Sequence, residues 1–214
     1  MTGDAGQNRL TRLAVPVGER DHVQGPATAS VTLVEYGDYE CPYCRAAVEI
    51  VDELRRVLPD ELRFVFRHFP LETLHPRARR AAEAAEAAAS QGKFFEMHAA
   101  LFEHQTALEE VDLVRYAAAL DLDLKRFGAD LSGDRHASRV RDDFRGGVRS
   151  GVRGTPTFYL DDVRYDGVIG VRQLAATIRQ SHPDLVDEGL DAVLQRRTIP
   201  RVLYERSPFR PPPG

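Results

Sequence analysis

The chain has 214 residues, a size that suits one ordinary domain with room for an inserted subdomain. Its 43% hydrophobic content is enough to bury a core, and a formal net charge of −4 excludes the basic footprint of a nucleic-acid binder. No stretch approaches the roughly 18 to 20 apolar residues that a membrane span needs. Met1–Arg20, with Asp4, Arg9, Arg12, Glu19 and Arg20, lacks the apolar centre of an export signal. The expectation is a cytoplasmic protein with no membrane span and no nucleic-acid partner.

Residues 1–24 read as an N-terminal extension, with Leu13–Val17 a candidate short edge strand. Val31–Tyr36 is β-branched and apolar and predicts a buried strand, broken by Gly37 and Asp38. From Cys44 to Leu58 the apolar residues Ala47, Ile50, Val51, Leu54, Val57 and Leu58 recur at three and four, which is one helical face. Leu62–Phe69 predicts a second strand, stopped by Pro70, so the order is that of a βαβ unit with a parallel pair. A helical block fills about 71–150. It holds an alanine-rich helix between Pro76 and Gly92, an amphipathic helix over Phe94–Phe102 whose aromatic stripe is core, two short helices over Val111–Leu120 and Leu122–Leu131, and a longer one over Asp134–Arg149. Gly146 and Gly147 in that last helix allow a close backbone approach. Thr157–Leu160 and Val163–Tyr165 predict a hairpin around Asp161-Asp162, followed by a helix over Val171–Gln180. The domain is bounded at 25–182. Residues 183–214 are assigned to a tail, with a short helix over Asp187–Gln195 and a basic, proline-rich end from Arg196.

Cys41-Pro42-Tyr43-Cys44 contains the only two cysteines of the chain. They stand between a strand and a helix. A helix N-terminus stabilises an anion through free N–H groups and the helix dipole, and the thiolate is the form that attacks disulfides. Cys41 at the cap predicts a depressed pKa. Cys44, one turn in, is more buried and placed to attack a mixed disulfide on Cys41. Pro42 fixes φ where no donor is needed. Half of a zinc site would need two more ligands, and His68 and His75 stand at poor spacing, so no metal is expected. His98, His104 and His136 read as exposed or satisfied histidines on helices, and Arg77, Arg79 and Arg80 as a solvated helix face.

The ordered set Val34-Glu35-Tyr36-Gly37-Asp38-Tyr39-Glu40-Cys41-Pro42-Tyr43-Cys44, followed far downstream by Gly151-Val-Arg-Gly-Thr155-Pro156-Thr157-Phe158, resembles the DsbA-like branch of the thioredoxin superfamily. The match runs over roughly Gly25–Gln180. A glutaredoxin could carry Cys-Pro-Tyr-Cys, but its Pro element follows much sooner, without an intervening helical block. The resemblance implies an α/β, thioredoxin-like fold with a helical subdomain inserted between a βαβ half and a ββα half. It implies Cys41 as nucleophile and Cys44 as resolving thiol. It makes Thr155-Pro156 a cis-peptide loop that faces the cysteines and pairs with an extended substrate backbone beside Pro42 and Tyr43. Glu35 matches the family's buried acid. Such a carboxyl would have a raised pKa and could accept the Cys44 proton during resolution. Tyr43 stands where DsbA itself has a histidine, so a strongly oxidising poise does not carry over.

The expected activity is thiol-disulfide exchange with protein or low-molecular-weight thiols and a partner that donates or accepts electrons. The cysteine pair is the redox group, no cofactor is expected, and glutathione is a candidate co-substrate. Two alternatives stay open: a glutathione-dependent transferase or isomerase on the same scaffold, and a non-catalytic peptide-binding or chaperone module.

Overall fold

The computed structural model describes residues 11–185 and 187–195. Five strands form one sheet: β1 (His22–Gln24), β2 (Val31–Gly37), β3 (Leu62–His68), β4 (Thr157–Leu160) and β5 (Val163–Tyr165), in the order β1-β3-β2-β4-β5. β2 and β3 run parallel from Val31↔Leu62 to Gly37↔His68, and the other three pairings are antiparallel. Parallel strands need a covered crossover, and α1 (Pro42–Val57) provides it.

β2 is buried along its whole length because both faces of the sheet are covered. The period of two sorts its residues. Val31 and Leu33 join Phe64, Phe66, Phe158 and Leu160 in the main core with α1, whereas Val34 and Tyr36 join Val65, Phe69 and Tyr159 on the opposite face. Glu35 has the parity of Val31 and Leu33, so the alternation that builds the core also carries a carboxyl under the head of α1.

The insertion between β3 and β4 is helical throughout: α2 (Ala78–Ala89), α3 (Phe94–Glu103), α4 (Glu110–Ala119), α5 (Leu124–Ser132) and α6 (Ala137–Arg149). This is the inserted subdomain expected from the resemblance. α2 packs against each of the other four helices, and its small side chains permit it, with Ala81, Ala84, Ala85, Ala87 and Ala88 fully buried. α6 lies on the second face of the sheet. A Cβ on Gly147 would stand 2.6 Å from Phe69 Cδ2 and 3.0 Å from Tyr36 Cδ1, so that glycine sets the close approach. α7 (Val171–Ser181) returns against α1.

Three expectations are corrected. Leu13–Val17 is not a strand: Arg12 bridges Val163, and the edge beside β3 is taken by His22–Gln24. Pro16 cannot donate to a ladder. The Val15 and Pro16 carbonyls instead accept from the buried Arg67 guanidinium, which also forms a bidentate pair with Asp21 at 2.8 and 2.9 Å. Second, the segment after 182 is not simply a tail. α8 (Glu188–Gln195) packs on α7, and Leu185, Leu190 and Val193 are buried in the main core. Burying each such side chain is worth roughly 1.5–3 kcal/mol, which is enough to hold a short helix in place. Third, Arg77, Arg79 and Arg80 are not one solvated helix face: Arg77 is exposed but precedes α2 and binds Glu40, and Arg79 and Arg80 are half-buried. The basic, proline-rich end from Arg196 and residues 1–10 lie outside the described residues.

Candidate active site

Cys41 occupies the N-cap of α1 with φ −71° and ψ 119°, and Pro42 opens the first turn. The Cys41 carbonyl accepts from Cys44 N at 3.0 Å and Arg45 N at 3.2 Å. Both thiols are free; Cys41 is 4% exposed and Cys44 fully buried. The Thr155-Pro156 peptide is cis, as the resemblance implies, and its carbonyl accepts from Cys41 Sγ at 3.2 Å. Pro42 is exposed and Tyr43 half-buried beside the thiols. The structure thus gathers Cys41, Cys44, Pro42, Tyr43, Thr155 and Pro156 at one end of the sheet, with Glu35 beneath.

The two sulfurs are electrostatically unlike. A hydrogen bond from the Cys44 thiol brings the Cys41 pKa down to about 6 against the opposing effect of burial, with help from the Cys44 and Tyr43 N–H groups. The Thr155 hydroxyl is buried and has no hydrogen-bond partner. Burial, the bond given to Cys41 and the nearby charges of Cys41 and Glu35 push Cys44 well up, although its sulfur accepts from Asp38 N at 3.4 Å. Burial, then the Cys41 charge, raises Glu35 to about 8, partly offset by a hydrogen bond with Cys44. Glu35 Oε1 has no hydrogen-bond partner. An acidic nucleophile, a reluctant second thiol and a proton-holding carboxyl beside it are the parts a two-step thiol exchange needs.

Residues to which the sequence reading gave no role at the site hold this arrangement. Asp38 is buried: Oδ1 accepts from Glu40 N at 2.8 Å, and Oδ2 accepts from Leu71 N at 2.8 Å and pairs with His75 Nδ1 at 2.8 Å. The first of these is the local Asx turn that an aspartate after a strand can signal. The Tyr39 hydroxyl lies 3.2 Å from Nδ1 of His98, a buried histidine that burial keeps neutral by lowering its pKa to about 3. Glu40 binds Arg77, which also binds Glu109 at the cap of α4. Gln105 donates to the Tyr39 and Cys41 carbonyls.

His68 and His75 do not approach the cysteines as ligands, since His75 pairs with Asp38 and His68 Nε2 lies 2.9 Å from Glu86 Oε1. His22, His68 and Glu86 offer ligand atoms within 4.8 Å of one another. Both imidazoles approach the same carboxylate oxygen, and the Arg139 guanidinium stands 3.6 Å from it, while His68 Nδ1 is buried with no hydrogen-bond partner.

Residues 18–180 match the family described as thioredoxin. The chain belongs to the thioredoxin family. A thioredoxin-like oxidoreductase from Silicibacter pomeroyi DSS-3 shares the fold with a TM-score of 0.69 and 30% identity, over 78% of this chain and 94% of that one. Wolbachia pipientis alpha-DsbA1 superposes with a TM-score of 0.67 at 19% identity, over 79% of this chain and 94% of its own, and so shows the DsbA-like fold. Among curated relatives, the Na(+)/H(+) antiporter NhaA 3 of Salinispora tropica is 50% identical over 167 residues, which is 78% of this chain and 26% of that protein. The chain therefore spans about a quarter of that relative's length. No described helix is long and apolar enough to cross a membrane.

Proposed function

We propose that this thioredoxin-family chain is a thiol-disulfide oxidoreductase that works through a mixed disulfide at Cys41. The observation that carries the reading is the placement of the pair: Cys41 at the N-cap of α1 with its sulfur against the Thr155 carbonyl, and Cys44 fully buried one turn in. In the reductive direction the Cys41 thiolate attacks a substrate disulfide, forming the mixed disulfide and releasing one substrate thiolate, which takes a proton from solvent. Loss of the Cys41 charge removes one cause of the raised Glu35 pKa, so Glu35 gives its proton to water and the carboxylate then takes the Cys44 proton. The Cys44 sulfur attacks Cys41 Sγ and releases the second substrate thiolate, which also takes a proton from solvent, leaving Cys41-Cys44 oxidised by two electrons and the substrate reduced by two. Oxidation of a substrate dithiol is the same sequence reversed.

The Thr155 carbonyl and the cis loop offer an edge for an extended peptide, which supports protein disulfides as substrates. Low-molecular-weight disulfides, glutathione among them, would use Cys41 without that edge. The pair must be returned to its starting state by a separate electron donor or acceptor. The test is insulin-disulfide reduction by the wild-type chain and by Cys41→Ser with the fold checked by circular dichroism. Turnover in the wild type and its loss in the variant are expected; turnover that survives in Cys41→Ser rejects the reading.

A further inference from the structure

Gln105 lies in the loop between α3 and α4, in the helical insertion and far in sequence from the cysteines. Its Nε2 group donates at 2.8 Å to the carbonyl of Tyr39 and at 2.9 Å to the carbonyl of Cys41. Both amide hydrogens are therefore used, and the orientation is forced: turned over, the side-chain oxygen would face two carbonyl oxygens. The Cys41 carbonyl already accepts from Cys44 N and Arg45 N, so Gln105 supplies its third donor.

The donor is itself well held. Ala107 N donates to His104 O at 2.8 Å, the Tyr116 hydroxyl donates to Ala107 O at 2.7 Å, and the His104 ring stacks on Tyr116 at 5.2 Å. Leu108, three residues on, is 1% exposed. A fixed amide thus bridges the carbonyls on either side of Glu40, over the turn whose backbone sets where Cys41 Sγ points.

We propose that Gln105 is a positioning residue that holds Cys41 in its helix-capping pose and makes the helical insertion a working part of the nucleophile's environment. Two effects follow. The clamp keeps the Cys41 sulfur against Thr155 and Cys44. It also places the positive end of an amide dipole on the carbonyl of the residue that carries the charge, which favours the thiolate. The inference rests on the thiol chemistry proposed for Cys41, but it can be read without any turnover.

The experiment measures alkylation of Cys41 by iodoacetamide against pH in the reduced full-length chain, with the modified residue identified by mass spectrometry. Gln105→Met keeps the length of the side chain and removes both donors, and Gln105→Ala is the second variant. With far-UV circular dichroism unchanged, the alkylation midpoint should move up by about half a pH unit, a fall in rate of about twofold at pH 6. A midpoint unchanged in both folded variants overturns the inference. A shifted midpoint with no insulin turnover in the wild-type chain would leave Gln105 in its role and reject the exchange reaction; an unchanged midpoint with turnover present would do the reverse.

Discussion

The carboxyl of Glu35 and the thiol of Cys44 are both buried on the α1 side of the sheet, where each bears on the other's proton. Each is held in its neutral form by that setting, burial being the largest cause for both. The pair therefore keeps a proton until Cys44 must attack. Replacing Glu35 by Gln removes the acceptor while keeping the shape. Resolution of the mixed disulfide should slow by roughly 10²-fold, the lower end for loss of a general base. Quenched-flow trapping during insulin reduction should show the Cys41 mixed disulfide accumulating. Resolution at the wild-type rate would remove Glu35 from the mechanism.

The same substitution should stabilise the protein. A carboxyl whose folded pKa is raised binds a proton more tightly in the native state, so wild-type stability falls as pH rises from about 4.5 to about 8. Glu35→Gln has no such slope. Urea unfolding of the reduced proteins should show the variant ahead by about 3 kcal/mol at pH 7, and nearly level with the wild type at pH 4.5. Parallel curves across that range would show that Glu35 is not the buried acid described.

For Cys41 the sign is opposite. Its folded pKa is depressed to about 6, so thiolate is the native form at neutral pH, and reduced-state stability from this group is lost as pH falls through 6. Alkylation should rise through that pH and level off above it, confined to Cys41, since Cys44 is fully buried. A midpoint near 8.5, the value of an ordinary thiol, would contradict the electrostatics of the cap.

The docking of α8 can be tested separately. Leu190 is fully buried, and Leu190→Ala should cost about 2–4 kcal/mol in urea unfolding if α8 is part of the cooperative core. A cost within about 0.5 kcal/mol, the level of a surface change, would return α8 to the tail.

Much of this architecture was legible in the sequence because it rests on short-range signals. The β-branched, apolar run Val31–Tyr36 and the three-and-four spacing from Ala47 to Leu58 each predict an element that is found, and the two glycines of α6 foretell its close approach to the sheet. The cysteine pair was legible from its place between a strand and a helix, whereas the Thr155-Pro156 loop was legible through a resemblance. What escaped depends on long-range pairing. Nothing near Gln105 signals that its amide reaches residues 39 and 41, and nothing in Arg77 signals Glu40. His22–Gln24 lacks the length of a recognisable strand and exists because β3 has an edge to fill. α8 was visible as a helix, but its docking is set by Leu185, Leu190 and Val193 together, with no sequence-local partner.

The pairing of β2 with β3 also acts as a phase lock on the chemistry. Glu35 is opposite Phe66 and Phe158 in the ladders, and its side chain emerges on the α1 side only because of that alignment. One residue inserted between Val31 and Glu35 would rotate the acid to the Tyr36 side of the sheet without altering a single catalytic group. Tolerance of insertions should therefore change abruptly along the chain: tight within β2, where a count of one decides whether the resolving thiol has a base, and looser in the surface loops of the helical subdomain.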